Sequence, residues 1–254
     1  MATMRSAVVY ADFLSRHLTD ETDLVDVGCG AGELTLELAS AVRHVTGVDS
    51  DPSEVQQAQR TAQSIGVDNA VFAAGNAYAL PLPDDGTDVV FGHSVLEALD
   101  HPAEALTEMK RVLKPGGVLA VASVEYEGLI LAGPNEELVR RFFDIRTRLW
   151  QSEGADPYLG RRLRGLLHGV GMVSVEATTK CISYGTKDAV VEFGLGRADD
   201  CMDDWFAGSA NRDGLATADD LTAIRQAWLD WSESPDSYAA FAWCRALGQK
   251  PHDA

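Results

Sequence analysis

"LVDVGCGAGELTLELA", residues 24–39, joins an apolar run to a helical pattern through three glycines at alternate positions, Gly28, Gly30 and Gly32. A loop that leaves a strand and enters a helix carries backbone N–H groups with no intrahelical partner. That end of a helix attracts carboxylate or phosphate. Glycine there lets a ligand approach with no Cβ in the way. A merely tight strand–helix turn does not need three of them.

A dinucleotide fingerprint, G-x-G-x-x-G, would place glycine at positions 28, 30 and 33, but residue 33 is Glu33. A glutamate aimed at a pyrophosphate would be repelled. The order is instead D-x-G-x-G-x-G, with Asp26 at the strand end. That pattern suits an amino-acid zwitterion, whose ammonium an acid receives and whose carboxylate the loop N–H groups receive. The methionine portion of S-adenosylmethionine is such a group. Further on, "GVDSDP" puts Asp49 at the end of a second apolar run. An acidic residue there accepts hydrogen bonds from both ribose hydroxyls. Either nucleotide offers such a diol, so Asp49 alone does not separate them.

Around this loop, apolar blocks alternate with helix-period blocks, the pattern of a doubly wound α/β sheet. Strands are expected at 23–28, 44–49, 69–75, 87–93 and 117–125, and helices at 32–43, 51–66 and 102–113. The "KPGG" after the last of these helices cannot continue it. The second half is less regular. Residues 134–151, 160–170 and 217–234 read as helices, and 173–185 alternates like a strand. "SYAAFAWCRALGQKP" reads as a last strand that pairs with it at the sheet edge. No repeat or linker interrupts the chain, so residues 1–254 are expected to form one domain.

Composition narrows the functions. A net charge of −18 opposes binding to long nucleic acids, which depends on neutralising phosphates. The charge is uneven: residues 140–164 hold Arg140, Arg141, Arg146, Arg148, Arg161, Arg162 and Arg164. These read either as solvated helix faces or as a local attraction for an anionic acceptor. Cys29, Cys181, Cys201 and Cys244 lie far apart with no C-x-x-C pair. They suit a reducing compartment, and no metal site is expected. Asp12 interrupts the N-terminal apolar stretch, and no run reaches the roughly 20 residues of a membrane span. The expectation is a soluble, cytoplasmic protein.

"LVDVGCGAG", "GVDSDP", "AGNAYALPLPDDGTDVVFGHSVLEALDHP" and "EMKRVLKPGG" stand in the order and spacing of the class I S-adenosylmethionine-dependent methyltransferases. They look most like the ubiquinone/menaquinone-biosynthesis-like branch that acts on small molecules. The resemblance covers residues 20–125 strongly and 156–172 weakly. It implies a Rossmann-like seven-stranded sheet, mostly parallel with an antiparallel last strand. It also implies cofactor contacts: Gly28, Cys29 and Gly30 along the methionine portion, Asp49 on the ribose, Ser50 beside the adenine, Asn76 and Ala77 at the adenine edge, and His93 near the sulfonium. Many relatives carry Asp where this chain has Asn76, whose carbonyl oxygen still accepts a hydrogen bond. Many also carry a histidine where this chain has Ala98.

Methyl transfer needs the acceptor held close and collinear with the methyl, with water excluded and, for oxygen or nitrogen acceptors, sometimes a base. Lid segments are expected at about 1–19, 126–170 and 187–236. Trp228 and Trp231 read as packing residues within them. For the base, His93 follows the fourth strand, and Tyr126 or Glu97 could substitute. His101 and His168 read as helix residues. A small-molecule methyltransferase is the expected function. A non-methylating protein that binds S-adenosylmethionine or S-adenosylhomocysteine is the alternative from another class, and methylation of RNA or protein is the less favoured one.

Overall fold

The computed structural model describes residues 6–252. Two compact units divide the chain. The larger holds the described residues before Glu125, with Tyr158–Lys180 and the stretch from Trp243. The smaller holds Glu125–Pro157 and Cys181–Ala242.

Seven strands form one sheet: β1 (Asp23–Val27), β2 (His44–Asp49), β3 (Ala70–Ala74), β4 (Thr87–His93), β5 (Leu113–Ala132), β6 (Val173–Tyr184) and β7 (Tyr238–Gln249). Their order is β3-β2-β1-β4-β5-β7-β6. The first five pair in parallel. β7 runs against both its neighbours. Gly117 exchanges backbone hydrogen bonds with the region of Lys250, whereas Gly128, further along β5, faces Ala242. Against β6, Gly248 abuts Val175, while Cys244 meets Thr179 and Gly185 lies against Tyr238. Falling numbers on one strand against rising numbers on the other define an antiparallel pair. The two last strands therefore pair as neighbours at the sheet edge, as expected, with β6 outermost.

In the larger unit, alternate residues of each strand feed two cores. Val25, Val27, Val90, Leu119 and Val121 meet Leu106 and Met109 of α4 (Pro102–Val112) and Leu163 and Leu167 of α6 (Leu163–Gly169). Leu24, Val45, Val89, Phe91 and Ala120 meet Leu14 and the Leu34/Leu38 pair of α2 (Glu33–Leu38). α3 (Pro52–Ile65) starts with Pro52 at its first turn, a side-chain cap from Asp51 and a left-handed Gly66 at its end, as its residue pattern implies. The N-terminal segment forms α1 (Ala7–Tyr10) and a 3₁₀ turn over Asp12–His17. Residues 1–5 of the expected lid lie outside the described residues.

β5 starts earlier than expected. Thr87 of β4 pairs with Leu113, and Val89 with Val118, so Lys114–Gly117 bulges out between two paired positions. Gly116 takes a positive φ of 79° there. The Pro-Gly-Gly that stops α4 is thus a bulge inside the strand.

The smaller unit is built on α5 (Glu136–Ser152), α7 (Lys187–Asp200), α8 (Asp204–Arg212) and α9 (Ala218–Glu233). Its centre is aromatic. Phe142 lies 4.7 Å from Phe206 and Phe143 5.7 Å from Trp228, while Phe193 lies 5.9 Å from Trp231. Trp228 and Trp231 are fully buried, as packing residues should be. The acidic run 199–204 spans the end of α7 and the start of α8, and Asp203 caps the latter by accepting from the Trp205 and Phe206 N–H groups. Among the described residues, no helix is long and apolar enough to cross a membrane.

Leu106 is wholly buried between α4 and the sheet. Leu106→Ala is expected to cost about 2–5 kcal/mol, the range for a buried Leu with incomplete collapse. The control Leu195→Ala, 43% exposed, should stay within about 0.5 kcal/mol. Urea unfolding followed by far-UV circular dichroism checks both.

Candidate functional site

The reversal of strand order lies between β1 and β4, where an open α/β sheet leaves a crevice at its carboxyl edge. Register brings the strand ends level there: Val27 pairs with Val48 on one side and with Gly92 on the other, and Asp49 pairs with Ala74. A cavity of ≈ 660 Å³ opens at this edge, within the larger unit. Its walls are Val27 and Gly28 at the end of β1, Val48, Asp49 and Ser50 at the end of β2, Gly75–Tyr78 after β3, and Ser94, Val95, Ala98 and Leu99 after β4.

The glycine loop is shaped by its own hydrogen bonds. Gly28 and Cys29 both donate to the Val48 carbonyl, at 2.8 and 3.2 Å. Gly30 donates to Asp49 Oδ2 at 2.8 Å, and the Asp51 N–H donates to the other oxygen at 3.0 Å. The N–H groups at 28, 29 and 30 are therefore engaged within the protein, not free to receive a ligand carboxylate. Gly32 begins α2 at φ 83°, and a Cβ there would come within 2.9–3.0 Å of Ala58 and the Phe72 ring. Steric exclusion by α3 and β3 thus explains Gly32, with no ligand needed.

Five expected cofactor residues, Gly28, Asp49, Ser50, Asn76 and Ala77, line the cavity. Asn76 turns its Oδ1 back to the Tyr78 N–H at 2.9 Å. The second lone pair of that oxygen and its amide N–H₂ stay available in principle. Asp26, Cys29 and Gly30 adjoin the loop without forming the wall. Asp26 is 3% exposed and accepts from Thr35 Oγ1 at 2.6 Å. Burial, together with the nearby Asp49 charge, pushes its carboxyl up to about 7, against the pull of the Thr35 hydrogen bond. Burial and the charges of Asp26 and Asp49 also push the Cys29 thiol well up, which removes it as a nucleophile.

His93 ends β4 but belongs to an aromatic stack outside the cavity wall. Its ring lies parallel to Trp243 at 4.6 Å and edge-on to Tyr10 at 5.0 Å. Tyr126 belongs to the smaller unit, where its ring stands edge-on to Trp150 at 5.5 Å and to Phe241 at 5.9 Å. Glu97 is buried, with one oxygen accepting from Ser94 Oγ at 2.9 Å and the other from Ser123 Oγ at 2.7 Å. His101 occupies the N-cap position of α4 without a side-chain cap hydrogen bond, and His168 sits in the last turn of α6.

Sequence reasoning missed the wall formed by Ser94, Val95, Ala98 and Leu99. One signal was available: "HSVLEAL" follows a strand and precedes a proline-started helix, which places it at the same sheet edge as the glycine loop. Ser94 takes a left-handed φ of 59°, a strained state for a non-glycine residue that clusters at functional sites. The Glu97 hydrogen bond and the Ser94 N–H bond to Ala122 hold it there.

Residues 18–152 match the model of a family described as a methyltransferase domain. An O-methyltransferase from Aspergillus nomiae is 33% identical over 61% of this chain and 66% of its own length. A trans-aconitate 2-methyltransferase from Methylobacterium nodulans is 32% identical over 52% of this chain and 48% of its own. The alignments span between 34% and 66% of the length of the first curated relatives matched. The crystal structure of the YcgJ protein from Bacillus subtilis superposes with a TM-score of 0.63 over 96% of this chain and 98% of that one, at 19% identity. It shares the fold.

Because Asp26 keeps its proton to about pH 7 when folded but only to about 3.8 when unfolded, the native state binds more protons between these values. Its contribution is full below about pH 4 and is lost as pH rises through 7. Asp26→Asn is expected to remove that part of the decline. Urea midpoints of both proteins from pH 4 to 8 check this, and parallel profiles would contradict it.

Proposed function

This chain belongs to the methyltransferase-domain family, and from that premise we propose that it transfers a methyl group from S-adenosylmethionine to a small-molecule acceptor. The observation that carries the cofactor assignment is Asp49. Each of its oxygens already holds one backbone N–H, yet the carboxylate lines a cavity large enough for a nucleoside. Carboxylate oxygens have lone pairs to spare for a ribose diol. The fit extends to Ser50, Asn76 and Ala77 on the adenine side and to the apolar Val95, Ala98 and Leu99 opposite.

When bound, S-adenosylmethionine supplies an electrophilic methyl on a sulfonium. The chain's own residues then have to bind, orient and exclude water. Asp49 fixes the ribose; Gly28, Cys29 and Gly30 shape the floor beside the methionine portion; and the buried Asp26 lies beneath as the acid nearest an ammonium. His93, at the end of β4, and Tyr126, within β5, are the candidates to take a proton from an oxygen or nitrogen acceptor; neither lines the cavity around Asp49, so this assignment rests on chain position alone. Ala98 offers no imidazole, so a mechanism built on a second histidine is absent. Positioning then supplies most of the rate, an effect worth as much as about 7–11 kcal/mol when geometry is good.

The same reading treats residues 1–254 as one working domain, with acceptor-side lid segments at about 1–19, 126–170 and 187–236. It places the protein in the cytoplasm, acting on neither nucleic acid nor membrane. The net charge of −18 and the cysteine usage support this part.

Calorimetric titration with S-adenosylhomocysteine is expected to show micromolar binding, on the order of −8 kcal/mol, and NAD no heat. Asp49→Ala should lose charge-assisted hydrogen bonds worth about 1.5–3 kcal/mol, roughly 10- to 150-fold in affinity. Heat from NAD alone would overturn the cofactor assignment. Binding of S-adenosylhomocysteine without its formation from any acceptor would favour a non-methylating binding protein.

A further inference from the structure

Two half-buried arginines of the smaller unit share one carboxylate. Arg146 on α5 and Arg197 on α7 converge on one carboxylate oxygen, Asp200 Oδ2, at 3.2 Å from Arg146 Nη1 and 3.0 Å from Arg197 Nε. The Arg197 contact lacks hydrogen-bond alignment, and the Nε of Arg146 is sealed from solvent with no acceptor. Arg225 on α9, with its Nε likewise sealed, has no ion pair among the described residues and lies within electrostatic reach of Cys201, the next residue after Asp200. A guanidinium carries five N–H donors, so Asp200 satisfies a small part of what these arginines offer. Burial and the Arg146 charge together pull Arg197 below the ordinary arginine value, the mark of an undercompensated cation.

The surroundings are flat and apolar. The Arg146 guanidinium stands 5.5 Å from the Trp150 ring centre, and that of Arg197 5.2 Å from Phe193. Phe193 stacks on Tyr184 at 4.2 Å, and Trp150 meets Tyr126 edge-on at 5.5 Å. Of the seven arginines between 140 and 164, Arg140 and Arg141 pair with Glu136 and Asp220, and Arg148, Arg161, Arg162 and Arg164 are exposed. Arg146 is the one that turns toward this aromatic wall. Asp200, on α7, meets both guanidinium groups and so joins α5 to α7.

We propose that Arg146 and Arg197 form a receptor for a planar aryl carboxylate on the acceptor, with Asp200 as the internal carboxylate that the acceptor's group joins or displaces. A planar fork of donors matches a carboxylate in a way that an ammonium does not, and aromatic rings flank the fork for the aryl part. The proposal rests on the methyltransferase reading for the word acceptor, but the anion site itself lies wholly in the smaller unit.

Benzoate is the probe, with benzyl alcohol and inorganic phosphate as controls, titrated into the full chain while tryptophan fluorescence is followed. Benzoate is expected to bind at millimolar or lower concentration, and the two controls at least about tenfold more weakly. Arg197→Gln should weaken benzoate about tenfold or more, whereas Asp200→Asn, which removes the competing internal anion, should tighten it. Both variants should bind S-adenosylhomocysteine as the parent does. If Asp200→Asn loses stability without gaining benzoate affinity, or benzoate binds no better than benzyl alcohol, the arginines are structural and the proposal fails. Failure of S-adenosylhomocysteine binding with benzoate binding intact would sink the cofactor reading and leave the anion site standing.

Discussion

Asp49 is the residue on which the larger unit's cavity turns. One oxygen holds the Gly30 N–H and the other the Asp51 N–H, so the carboxylate joins the loop after β1 to the start of α3. It can do so because β1 and β2 pair in parallel with Val27 opposite Val48, which puts both strand ends at one edge. The Val48 carbonyl, taking the N–H groups of Gly28 and Cys29, completes the join. The loop is rigid before any ligand arrives, which lowers the ordering cost of binding. The same hydrogen bonds remove three N–H groups from those that a ligand carboxylate could use.

Buried acids mark the larger unit. Asp26 and Glu97 lie under the glycine loop and behind Ser94, each held by side-chain hydroxyls. A buried carboxyl satisfied by hydroxyls can exist as acid or anion, so its neighbours set its charge. In the smaller unit, arginines share one aspartate beside aromatic rings. The two units therefore carry different chemistry: an acidic edge around Asp49 in one, and arginines beside aromatic rings in the other.

The strands that carry the cavity were legible from residue order. β2 and β4 begin and end where their apolar runs do, and the helix between Pro52 and Ile65 carries its own start and stop signals. Legibility failed where local chemistry allowed two outcomes. "KPGG" stops a helix and also makes a bulge, and only pairing with β4 and β7 chose the bulge. Gly32 reads as a ligand-facing glycine until α3 and the Phe72 ring are seen to crowd it. His93 reads as a site residue from its place after β4, but its ring is packed between Tyr10 and Trp243, residues far apart along the chain.

By itself the sequence determined the alternation of strands and helices, the glycine loop and the acidic residue at the end of β2, because apolar periodicity, positive φ and short-range capping are local properties. Tertiary structure decided which N–H groups remain for a ligand, which side of the sheet β7 enters, which residues wall the cavity, and which of the many arginines turns inward. Those outcomes depend on hydrogen-bond partners and packed rings contributed from distant segments, and no local pattern encodes the meeting of Arg146 with Arg197 or of His93 with Trp243.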